Sequence, residues 1–328
     1  GCKTPTGAVK AAPFSMIKRQ GIDFFPLRAY NKGIEFLCIW RKNMAKKKTL
    51  QELTIKDNFL FGAVMVNEEN CKEFLEMVLE IPIEKVVVSK EKSIVYHPEY
   101  KGVRLDIYAR DEQHTHYNIE MQAKTKPALG KRTRYYQSQM DMELLLEGKD
   151  YAEIPNTYVI FVCDFDPFGE AKYRYSFQNI CKEVPDIQLP DGRKIIYLST
   201  CGKNPAEVPE KLVKFLAFVK ADLKESQNNF ADPYVQKLQE FIVDVKKSRE
   251  MEARFMILEE MLRDERNAGR AEGVKYTLLE TINAYGEIPS ELQEKIEKET
   301  DLEVLKSWFQ TALRAGSVEA FEEAIQSR

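Results

Sequence analysis

The residues best suited to chemistry are two carboxylates and an amide, Asp106, Glu120 and Gln122, in the stretch RLDIYARDEQHTHYNIEMQ, residues 104–122. In VRLDIYAR, Val103, Leu105, Ile107 and Ala109 alternate with Arg104, Asp106, Tyr108 and Arg110; in HYNIEMQ, Tyr117, Ile119 and Met121 alternate with Asn118, Glu120 and Gln122. A period of two predicts two strands, each with one polar face. With a turn over about Asp111 to Thr115, Asp106 falls opposite Glu120, with Cβ atoms ~4.5–5.5 Å apart. Like charges so placed destabilise a sheet unless a proton or a divalent cation lies between them. Mg2+ favours one or two carboxylates and a carbonyl, with water and a phosphate oxygen completing its shell, an arrangement suited to phosphodiester hydrolysis. The competing reading makes both carboxylates solvated strand residues, paired with arginines such as Arg104 or Arg110.

The elements that must hold this hairpin can be read around it. LTIKDNFLFGAVM and NEENCKEFLEMVLEI carry apolar residues at helical spacing, predicting helices near 55–66 and 68–80. EKVVVSKEKSIVY is rich in β-branched residues and predicts a strand with a break in its middle. LGKRTRYYQSQMDMELLLEG places Leu129, Tyr136, Met140 and Leu144 on one stripe, a third helix with Gly148 as its C-cap. NTYVIFVCDF, continuously apolar, suits a strand buried on both faces. KYRYSFQNI and RKIIYLS add strands joined by the turn-like LPDGRK, and from about Glu207 the chain is helical, with a long charged stretch ending in the glycines of AGRAEG.

Composition removes several function classes. A net charge of -3 gives no global basic footprint, so any nucleic-acid surface must be local. The six cysteines form no C-x-x-C pair, which argues against a zinc site or a secreted disulfide framework and makes a cytoplasmic location the expectation. No apolar run reaches the ~18–20 residues of a membrane helix, and neither G-x-G-x-x-G nor G-K-[ST] occurs. His114 and His116 lie in or beside the predicted turn without a third nitrogen or sulfur ligand nearby, a poor metal pair.

KDNFLFGAVM, RLDIYAR, YNIEMQ, KRTRYYQSQM, LLLEGKDYAEIPNTYVIFVCDF and AGRAEG together resemble the PD-(D/E)XK nuclease superfamily, and within it the recombination-promoting nuclease and putative transposase family, over roughly residues 50–275. The resemblance implies an α/β fold, a restriction-endonuclease-like α-β-β-β-α-β core with a mostly helical C-terminal extension. It implies that Asp106 and Glu120 bind Mg2+, with Mn2+ an alternative, that the Met121 carbonyl is a third ligand, and that Gln122 fills the slot of the usual lysine. Leu105 stands where the namesake proline would be. Gln122 can orient a water but cannot neutralise charge. Lys131, Arg132 or Arg134 could supply that charge or hold the phosphate backbone, the alternative being a solvated helix end. Asp57 matches an acidic residue that completes the metal site, although Thr54-x-x-Asp57 also fits a capping box.

The expected organisation is a poorly defined N-terminal extension over 1–43, an add-on or a mis-assigned start, then a nuclease-like domain over 44–230 and a helical region over 231–328. The expected activity is that of a metal-dependent DNA endonuclease with DNA as partner, no membrane association, and homo-oligomer formation through the C-terminal helices. The rival is a catalytically weak or inactive nuclease-fold protein that serves as a nucleic-acid-binding or oligomerisation module.

Overall fold

The computed structural model describes residues 48–94 and 103–326. The expected extension over 1–43 lies outside the described residues. Two helices open the fold, α1 (Asn58–Met65) and α2 (Glu68–Leu79). Strands β1 (Val86–Ile94), β2 (Val103–Asp111) and β3 (His116–Gln122) follow, then α3 (Leu129–Leu144), β4 (Thr157–Cys163), β5 (Arg174–Phe177) and β6 (Arg193–Ser199). The fold is α/β, a six-stranded mixed sheet in the order β1-β2-β3-β4-β6-β5. β2 runs antiparallel to its neighbours β1 and β3; β3, β4 and β6 run parallel; β5 is an antiparallel edge.

β4 sits between two parallel neighbours, which is why its sequence is apolar throughout. Ile160 and Val162 enter a core shared with α1, α2 and the helices α4 (Glu210–Lys220) and α5 (Pro233–Lys247). Val159, Phe161 and Cys163 enter the smaller core under α3 with Tyr108, Met140 and Tyr197. Gly192 ends the LPDGRK turn at φ +69°, where a Cβ would meet the Asn156 Oδ1 at 2.5 Å. Only glycine lets that turn approach β4 closely enough for the Thr157 N–H to donate to the Gly192 carbonyl.

Several expectations change in detail. β1 is one strand without a central break. α3 stops at Leu144, and Gly148 takes a positive φ in the turn beyond rather than capping the helix. α5 packs Tyr234, Val235, Leu238 and Ile242 into the sheet's core, so the compact unit around the sheet spans Lys47–Glu259 instead of ending at residue 230. The helix α6 (Arg249–Asn283) continues past Gly269 and Gly273. Two glycines cost about 1 kcal/mol each, but the sequence beyond them restores an apolar stripe: Val274, Leu278 and Ile282 are buried. That stripe belongs to a second compact unit, in which α7 (Ser290–Lys298), α8 (Leu302–Ala315) and α9 (Val318–Gln326) bury Leu292, Ile296, Leu305, Phe309 and Phe321. The four described cysteines are unpaired, and no helix among the described residues is long and apolar enough to cross a membrane.

Candidate active site

The β2–β3 turn fixes the register that brings the carboxylates together. Asp111 accepts from the Gln113 and Thr115 N–H groups at 3.0 and 2.8 Å and from the Tyr117 hydroxyl at 2.6 Å, closing the turn from inside. The ladder then runs Arg110↔His116, Ala109↔Tyr117, Tyr108↔Asn118, Ile107↔Ile119, and there it ends. One step on, where Asp106 would pair with Glu120, the Asp106 N–H donates instead to the Glu120 carboxylate at 3.2 Å. The alternation of β2 also changes phase here: Val103 and Leu105 pack under α3, whereas Ile107 and Ala109 pack against the opposite core. The regular period of two expected for this strand therefore fails at Asp106, and the strands open around the acidic pair.

The opening is a cleft of about 420 Å³ with Asp106, Glu120, Met121 and Gln122 on its walls. Glu120 is only 3 % exposed, which overturns the solvated-strand reading for it. Its Oε2 accepts from Arg132 Nη2 at 3.1 Å, so its arginine comes from α3 rather than from Arg104 or Arg110. Burial first, and then the neighbouring Asp106 charge, push the Glu120 carboxyl up to about 7, while Arg132 pulls it back. Asn58, the first residue of α1, reaches Asp106 Oδ2 at 3.4 Å. Gln122 donates its Nε2 to the Lys124 carbonyl at 2.7 Å, which leaves its Oε1 as the acceptor for a partner in the cleft. The Met121 side chain is buried in the core, so what Met121 offers the cleft is main chain.

The remaining candidates are distributed unevenly. Asp57 is not on the cleft wall; it stands at the N-cap of α1 without a side-chain cap hydrogen bond, and its carboxylate accepts from the Thr54 N–H at 2.9 Å and pairs with Lys48 at 2.9 Å. Of the α3 cations, Arg132 is in the site, while Lys131 and Arg134 are exposed outside it. Tyr136 both joins the core and lines the cleft, stacked on Phe161 at 6.5 Å. Asn58, Lys124 and Lys126 were missed by the sequence reading, although Asn58 follows Asp57 directly and both lysines follow Gln122 within four residues. Asn118 is wholly buried on the Glu120 face.

His114 sits at φ +60° in the turn, and His116 is buried with its Nδ1 2.7 Å from the Tyr108 hydroxyl, so the two do not form a metal pair. Burial, then Arg110 and Lys92, hold His116 down to about 4 from an ordinary 6.5. The unfolded chain therefore binds this proton first as pH falls, and the folded protein is expected to lose up to about 3 kcal/mol between pH 6.5 and 4. Denaturant titrations of the wild type and His116→Gln across that window check this; parallel pH curves would refute it.

A family model described as PD-(D/E)XK nuclease family transposase matches residues 56–272. The chain belongs to this family. No curated protein and no solved structure matches it. Among the described residues no three His, Cys, Asp or Glu side chains converge to hold a metal ion. The site nonetheless fits a hard divalent cation of the kind this nuclease superfamily generally uses. Two carboxylates and main-chain oxygen would supply only part of such a cation's coordination shell, leaving places for water.

Proposed function

We propose that the chain is a metal-dependent DNA endonuclease that hydrolyses phosphodiester bonds. The observation that carries this reading is the opened ladder, which sets Asp106 and Glu120 on one cleft wall beside Gln122. Asp106, Glu120 and the Met121 carbonyl would hold Mg2+, or Mn2+ in its place. The bound cation supplies Lewis-acid charge to the phosphate and makes water a better nucleophile at neutral pH. Gln122, with its nitrogen committed to Lys124, accepts a hydrogen bond from the attacking water through Oε1 and so turns a water lone pair toward phosphorus. Lys124 and Lys126 on the cleft wall, with Lys131 and Arg134 on the exposed face of α3, hold the DNA backbone by charge. Asp57 acts from outside this set by fixing the start of α1, and thereby Asn58, against Asp106.

Purified full-length protein is expected to nick supercoiled plasmid at low salt with Mg2+ or Mn2+, and not in EDTA. Glu120→Ala prepared identically should be inactive. A second reading, a non-catalytic binding or assembly module, draws on the lack of charge at Gln122 and on the exposed Met256, Ile257 and Met261 of α6. It expects no cleavage and no stabilisation by metal. Cleavage retained in Glu120→Ala would remove the nuclease reading of this cleft.

A further inference from the structure

Both oxygens of the buried Glu120 carboxylate are occupied: Oε1 by the Asp106 N–H at 3.2 Å and Oε2 by Arg132 Nη2 at 3.1 Å. The Arg132 contact uses one hydrogen bond of a guanidinium that carries five N–H donors. Its Nε is buried without a hydrogen-bond partner among the described residues. The head group lies 5.3 Å from the Tyr136 ring centre and 5.1 Å from that of Phe161, two nearly parallel faces with an interplanar angle of 16°. An arginine with one arm on a carboxylate, one donor unused and flat aromatic faces beside it can turn in plane while keeping its cation–π contacts.

Resting on the reading of the cleft as a metal-dependent nuclease, we propose that Arg132 is the site's resident cation: it holds Glu120 when no metal ion is bound and yields that carboxylate to a divalent cation. It then takes a phosphate oxygen of the DNA and supplies the positive charge that Gln122 cannot. A divalent cation and a guanidinium on one carboxylate repel each other, so metal uptake and the Arg132–Glu120 pair compete. Once released, the fork matches a phosphate, which accepts two parallel N–H bonds. Among the other cations on the cleft wall, Arg104, Lys124 and Lys126, the two lysines cannot do the same, because an ammonium is a point charge without that geometry. The exchange makes the DNA contact of Arg132 conditional on metal.

The test uses full-length protein and two variants, Arg132→Leu and Arg132→Lys, with thermal melts to establish folding. In calorimetry with Mn2+ alone, Arg132→Leu should bind the ion about fivefold more tightly than wild type, because a competitor has been removed. Arg132→Lys, which keeps the competing charge, should bind it as wild type does. Fluorescence anisotropy of a labelled DNA duplex, with Ca2+ in place of Mg2+ to suppress cleavage, reads the second half. Arg132→Leu should lose about tenfold in affinity with Ca2+ and little in EDTA, where Glu120 already engages the wild-type guanidinium. Arg132→Lys should fall between the two. Mn2+ binding that is unchanged or weaker in Arg132→Leu, or a DNA loss equal with Ca2+ and EDTA, overturns the exchange and leaves the metal site standing. Absence of Mn2+ binding in wild type and variants alike overturns the metal-dependent reading itself, and the exchange with it.

Discussion

Asp106→Asn is expected to lose about a thousandfold or more of metal-dependent plasmid nicking while making the metal-free protein more stable. The two effects have one cause. The Asp106 charge is the main electrostatic contribution, after burial, to raising Glu120 from 4.5 to about 7. A carboxyl whose folded value lies above its unfolded value stabilises the fold below the unfolded value, and that contribution is lost as pH rises through the folded one. For Glu120 the window is about pH 4.5 to 7, and the loss is on the order of 2–3 kcal/mol. Removing the neighbouring charge returns part of it, so in EDTA at pH 8 the Asn variant should melt at or above the wild-type temperature. With Mg2+ the order should reverse, because only the wild type gains stability by binding the ion. His116 titrates in an overlapping window with the opposite sign, so the quantity to compare is the difference between variant and wild type at each pH. Wild-type nicking by Asp106→Asn would sink the assignment of this carboxylate.

Phe161→Ala should be the most damaging single truncation near the site. Phe161 is wholly buried on the central strand β4, stacked on Tyr197 at 5.4 Å and on Tyr136 at 6.5 Å, with the Arg132 head group 5.1 Å from its ring. Emptying that volume costs about 3–5 kcal/mol of stability, on the scale of other buried aromatic truncations. In a unit of this size that corresponds to a fall of about 10 °C in Tm. Phe161→Leu retains most of the volume and should lose less than half as much. The Ala variant also removes one of the two ring faces beside Arg132. At a temperature where both variants remain folded, its cleavage rate should therefore fall further than that of Phe161→Leu. Equal rates in the two variants would mean that the aromatic support of Arg132 has no part in cleavage.

Much of this protein is determined by short-range pattern. The apolar run of β4 and the alternation of β3 are consequences of which side chains tolerate burial on two faces, and both appear in the sequence as strands. That Asp106 and Glu120 would come side by side was legible because a hairpin with a turn at Asp111–Thr115 fixes all later neighbours, although the ladder ends one step short of them. The family, too, was present in the motifs from KDNFLFGAVM to AGRAEG, and the match over 56–272 agrees with them. What the pattern could not give was what happens where two elements meet. β2 loses its alternation at Asp106 because one end of it packs under α3 and the other against the opposite core, a conflict visible only once both layers are in place. The choice of Asn58 over Asp57 at the cleft turns on a single residue of helix start, and Thr54 and Lys48 decide it by holding the Asp57 carboxylate. Position on α3 sets Arg132 apart from Lys131 and Arg134: helical geometry points one of three neighbouring cations at a buried carboxylate twelve residues earlier and turns the other two to solvent. The sequence by itself therefore determined the chemistry's raw material, two carboxylates and an amide on neighbouring strands. The tertiary structure decided which cation answers them, because burial, and with it the strength of every charge in the cleft, depends on what the sheet and α3 exclude together.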